Sequence, residues 1–190
     1  MQAIRKTMTL GVATCTLLVT AYASSETRLP DNITIEYLKP TNQQDSTIKK
    51  AIQESEINDT LITLSEQLFP FKTPLVIRYG GSEGPMYDPS THIVHMPYTI
   101  NAKSVNYYRK NQYQEKYDKS PEAGAVDTLL HTLLHEAAHA YIYDHKIPVL
   151  GKEEDAADNF ATLMLIDYIE HGADAAISAA DLFAYESDGR

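Results

Sequence analysis

Residues 120–145 read SPEAGAVDTLLHTLLHEAAHAYIYDH, and this stretch decides the architecture. Ser120 supplies a side-chain oxygen for the first free backbone N–H groups, and Pro121 is pre-set for the first helical position. Pro148 to Gly151 ends what begins there, so the segment predicts one long helix closing near His145. At about 100° per residue, Val126, Leu130, Leu133, Ala137 and Ala140 fall opposite His135 and His139. The expectation is a helix that buries one face and presents two histidines on the other.

Those histidines belong to His135-Glu136-Ala137-Ala138-His139. Side chains at i and i+4 lie one helical turn apart, so two imidazoles at this spacing can reach one ion. Zinc takes nitrogen ligands at about 2.0–2.1 Å, which the spacing supplies without backbone strain. Glu136 sits about 100° around from His135, beside the ion, where a base for its open coordination position belongs. Downstream, Gly151-Lys152-Glu153-Glu154-Asp155-Ala156-Ala157-Asp158 opens a second helix. Glu154 and Asp158 are again i and i+4. The natural assignment makes Glu154 the third metal ligand and Asp158 the acceptor that fixes a histidine tautomer, with Asp155 and Asp158 as alternative ligands. Three protein ligands leave a position for water, the mark of a catalytic zinc. Acidic residues also suit any helix N-terminus, which accounts for one or two of them without a metal. His131, one turn before His135, is expected beside the site or on the surface, because three residues along one helix cannot easily surround a tetrahedral ion.

Working outward, residues 33–38 predict a strand and residues 46–68 two helices divided at Asn58-Asp59-Thr60. Residues 75–79 predict a second strand, closed by Gly80-Gly81. Met86-Tyr87, the turn Asp88-Pro89-Ser90-Thr91 and residues 92–96 predict a hairpin. Residues 101–119, polar and rich in tyrosine, predict a solvated peripheral helix, and residues 152–170 and 174–185 two more. Strands precede helices, the order of an α+β fold. A small N-terminal antiparallel or mixed sheet should pack on the histidine-bearing helix and on C-terminal helices.

Composition bounds the rest. The 190 residues suit a single core, and 43% apolar against 22% charged residues is a globular balance. A formal charge of −10 opposes nucleic-acid binding, which needs clustered Lys and Arg. Arg5 and Lys6, an apolar run over residues 8–19, and Ala21-Tyr22-Ala23 read as a signal peptide over residues 1–23, leaving residues 24–190 as one domain. The run falls short of the roughly 20 residues of a spanning helix, so no stable membrane insertion is expected after cleavage. Removal of the leader takes away Cys15, the single cysteine, and leaves 14 of the 16 basic residues against 26 acidic ones. The expected mature protein is periplasmic or secreted, without disulfides, and its zinc cannot be a thiolate site.

With these residues in view, the chain resembles a bacterial family of predicted metallopeptidases defined by HExxH and a following GxEEDAAD segment. Residues 33–38, Met86-Tyr87-Asp88-Pro89, and residues 134–140 and 148–160 carry the resemblance over nearly all of the chain beyond residue 23. It implies a zincin-like fold and peptide hydrolysis. The Glu154-xxx-Asp158 pair is also similar to the zinc peptidases that use a glutamate ligand, although only 14 residues separate His139 from Glu154, fewer than is usual there. In zincins an edge strand beside the active helix binds extended peptide by strand addition, which makes residues 92–96 the candidate, or else an ordinary pairing strand. Tyr87, His95, Tyr98 and His171 are candidates for steadying an oxyanion.

The reading that follows is a zinc-dependent peptide hydrolase with His135, His139 and Glu154 on the metal and Glu136 as general base. Its rivals are a zinc-binding envelope protein without catalysis and a zinc hydrolase of a non-peptide amide. Peptide specificity and oligomeric state have no signature in these residues.

Overall fold

The computed structural model describes residues 32–188, so the predicted leader and Cys15 lie outside the described residues. Four strands, β1 (Ile33–Tyr37), β2 (Leu75–Tyr79), β3 (Met86–Asp88) and β4 (Ile93–Met96), join seven helices. The helices are α1 (Gln43–Glu54), α2 (Ile57–Leu68), α3 (Tyr98–Lys110), α4 (Tyr113–Tyr117), α5 (Pro121–His145), α6 (Glu153–Tyr168) and α7 (Gly172–Asp188). The class is α+β, as the order of the predicted elements implies.

The sheet is mixed, in the order β1-β2-β4-β3. β1, β2 and β4 run parallel, and β3 pairs antiparallel with β4 at one edge. Leu75, Ile77 and Tyr79 alternate along β2 into the core and are fully buried. On the other face Arg78 pairs with Glu36 of β1 at 2.9 Å, so that side is polar. The sheet therefore carries helices on one face. Because β4 is hydrogen-bonded on both sides, residues 92–96 have no edge to offer a peptide, and that part of the expectation is corrected: the free edge near the long helix is β3.

α5 forms where the sequence places it. Ser120 accepts from the Ala123 N–H, and Lys146 closes the helix in the left-handed region with its N–H on Ile142 and Tyr143 carbonyls. Its surroundings differ from the two-faced expectation. Leu133, Ala137 and Ala140 are buried as predicted, but so are Thr128, His131, Thr132 and Glu136, because α3, α6 and α7 all pack on this helix. It is the axle of the domain. Gly124 makes that closeness possible on one side, since a Cβ there would meet the Tyr108 ring at 3.0 Å.

Two further expectations change. The break between α1 and α2 falls at Ser55-Glu56, and Asn58 lies inside the first turn of α2, where it bridges the Tyr37 and Tyr79 hydroxyls. The tyrosine-rich segment is not a solvated peripheral helix. Tyr108 and Tyr113 are buried, and the Tyr108 hydroxyl bonds Thr128 of α5 and the Ser178 carbonyl of α7. A tyrosine reads as polar in sequence but can bury its ring and satisfy its hydroxyl inside.

Candidate metal centre

α6 starts just after the loop that follows α5 and doubles back along it. The small residues Ala138, Ala157 and Ala161 are buried and let the two helices approach closely. Glu153, Glu154 and Asp155 occupy the first turn of α6, where their charge suits the helix dipole, and that turn faces His135 and His139. The His135 and His139 Nε2 atoms lie 3.1 Å apart. Glu154 Oε2 is 3.3 Å from the first and 3.5 Å from the second. Ligands at 2.0–2.1 Å from a tetrahedral ion sit about 3.3–3.4 Å from one another, so the triangle has the size that one zinc requires.

The outer nitrogens strengthen the case. His135 Nδ1 donates to Asp158 Oδ1 at 2.7 Å, and His139 Nδ1 donates to Glu153 Oε1 at 2.8 Å. With its Nδ1 proton committed to a carboxylate, each ring in its neutral form turns a lone pair inward at Nε2. Two imidazole lone pairs and a carboxylate oxygen thus converge on one point. Such a set repels itself unless a cation neutralises it, and its nitrogen and oxygen chemistry fits zinc. His135, His139 and Glu154 could hold a metal ion.

Glu136 takes the neighbouring position. It is 7% exposed, against 73% for the Glu154 side chain. Burial raises its pKa above the ordinary carboxylate value. His135 and His139 in their charged forms and the nearby Tyr87 backbone N–H oppose the rise, and the net shift remains upward. A carboxylate held next to a metal position with a raised pKa is suited to receiving a proton.

Asp155 is exposed and stands outside the set, and Asp158 bonds the outer nitrogen of His135 in place of the metal position. His131 is buried against Phe183, with Thr162 at 3.4 Å from its Nε2, and burial holds its pKa below the ordinary value. Among the four oxyanion candidates only Tyr87 lines the cleft. The Thr73 carbonyl accepts from His92 Nε2, so His92 Nδ1 accepts the Tyr87 hydroxyl proton, and that donor is spent. Tyr98 gives its hydroxyl to the Leu38 carbonyl, while His95 and His171 do not line the cleft.

Two residues escaped the sequence reading. Glu153 holds His139, and its only local signal was its place beside Glu154. Tyr143 lines the cleft one turn beyond His139, and the signal was its i+4 spacing. The cleft has a volume of about 470 Å³; Pro85, Met86, Tyr87 and Pro89 come to it from β3 and its flanks, and Tyr143 from α5 beside the metal-facing groups.

A family model, DUF4344, described as "Putative metallopeptidase", matches residues 37–190. The match begins at the last residue of β1, so most of that strand precedes it. No curated protein and no solved structure matches the chain significantly.

Proposed function

The chain belongs to this metallopeptidase family, and from that premise we propose that it is a zinc-dependent peptide hydrolase with His135, His139 and Glu154 on the metal and Glu136 as general base. The observation that carries the reading is the convergence of three acceptor atoms within 3.1–3.5 Å of one another, beside a buried carboxylate. Zinc bound there supplies a Lewis acid and an acidified water. Glu136 receives the proton of the attacking water on a carboxylate oxygen and delivers it to the nitrogen of the leaving amine. The Tyr87 backbone N–H beside that carboxylate favours its charged form, which is the form that takes the proton.

Burial of Glu136 favours an enzyme over a protein that merely stores or senses zinc. Holding the ion needs nothing from this side chain, and burying a carboxylate carries a desolvation cost that a purely structural site has no reason to bear. The leader read in residues 1–23 supports a periplasmic or secreted location, and the family's description supports a peptide substrate. Among the described residues no helix is long and apolar enough to cross a membrane.

The test is metal analysis of the purified protein, followed by cleavage of a peptide mixture with and without chelator. One zinc per chain and chelator-sensitive cleavage are expected. Metal-free protein that still cleaves, or zinc-loaded protein that cleaves no peptide, overturns the proposal.

A further inference from the structure

Resting on the hydrolase reading, we propose that the substrate is held chiefly by one large apolar side chain beside the scissile bond, packed against Met86, Tyr87 and Tyr143, and not by annealing as a strand on the sheet. The first support is the chemistry of the edge. A strand edge binds a peptide through outward N–H and C=O groups at every second residue. On β3 the outward-facing N–H is that of Tyr87, which lies beside the Glu136 carboxylate in the same cleft. The positions two residues to either side are Pro85 and Pro89, which have no N–H. This edge offers a single N–H between two prolines, so the repeated paired hydrogen bonds of an added strand cannot form along it.

The second support is the apolar part of the cleft lining. Met86 is 44% exposed and Tyr143 57%, and both line the cleft that contains His135, His139 and Glu136. The Tyr87 and Tyr143 rings stand 6.0 Å apart, tilted by 59°. Pro85 and Pro89 complete the same lining. Large apolar groups left exposed inside a cleft are a receptor for an apolar group, since covering them removes apolar surface from water on both partners. The acidic part of the lining cannot serve this purpose, because Glu153 and Glu154 are engaged with the histidines.

The experiment uses two readouts. In the zinc-loaded Glu136→Gln variant, chemical-shift titration compares acetyl-Ala-Ala-Phe-Ala-Ala-amide with the same peptide carrying Ser or Asp at the centre. Binding of the Phe peptide should be at least about tenfold tighter, the order expected when an apolar pocket is filled or left empty. A Tyr143→Ser change in the same background should remove most of that preference. Tyr143 is exposed and makes no core contact that the fold depends on, so this variant should fold. In the wild type, mass spectrometry of a cleaved peptide mixture should place the cuts next to Phe, Leu, Met or Tyr. Equal binding of the three peptides, or a preference untouched by Tyr143→Ser, overturns the inference even if cleavage occurs. Selective binding of the Phe peptide with no wild-type cleavage upholds the pocket and sinks the hydrolase reading.

Discussion

Glu136 on the histidine-bearing helix and Tyr87 on the free edge of the sheet line the same cleft, and the Tyr87 backbone N–H beside the carboxylate favours its charged form. The base therefore has β3 as its neighbour, while the histidines are held by α6. Substitutions on these two sides should separate chemistry from metal retention.

Glu136→Gln keeps the shape, but it cannot take a proton. Zinc content should be unchanged, and turnover should fall by roughly 10²–10⁴-fold, the usual contribution of a positioned base. Metal analysis and peptide kinetics on the same sample check this. Retained turnover would remove Glu136 from its role.

Asp158→Asn and Glu153→Gln should each weaken zinc binding by about 10–100-fold, because each removes the charge that holds a histidine tautomer. Asp155→Asn, on the same turn but outside the set, should leave affinity unchanged. Competition with a chromophoric chelator measures all three. Equal effects at all three positions would mean that general negative charge, and not the hydrogen bonds, matters.

How much of this was open to a reading of the sequence depends on how local each cause is. α5 was readable because Ser120, Pro121 and Pro148 fix its ends without outside help, and the ligand spacing is a property of one helix. The division of labour between Glu153 and Glu154 was not, since both share a turn and the crossing of α5 and α6 decides which carboxylate meets which nitrogen. The place of β4 was hidden for the same reason: strand partners are chosen across the fold. Enclosure of α5 on several sides, and burial of Tyr108 and Tyr113, likewise depend on partners far along the chain.

Asp144, at the end of α5, accepts from the Lys72 N–H and from the backbone and hydroxyl of Thr73, just before β2. Burial alone would raise its pKa, but these bonds hold it below the usual value. A folded-state pKa lower than the unfolded one means stability that is complete above about pH 4 and lost as pH falls through the folded value. Asp144→Ala should cost about 1–3 kcal/mol at neutral pH and flatten this acid limb. Thermal unfolding across pH 2–7 reads both, and an unchanged acid limb would count against the assignment.

Gly84 precedes β3 at φ +96°, and a Cβ there would sit 2.5 Å from the His95 carbonyl oxygen. Gly84→Ala should therefore shift the start of β3 and disturb the Tyr87 donor. Turnover is expected to fall by more than zinc affinity does. The reverse order, metal lost first, would count against β3 as the neighbour on which the base depends.

The grip on the ion and the setting of the base differ in their reach along the polypeptide. Residues 135–158 form a helix, a short loop and a returning helix, and they contain both imidazoles, the third donor and the two carboxylates that orient the rings. Such a hairpin can gather early in folding, before distant strands have found one another. Tyr87 comes from another part of the chain and arrives with the sheet. On the hydrolase proposal, a partly folded chain would hold an ion before Tyr87 reaches Glu136, and catalysis would be the last property to appear.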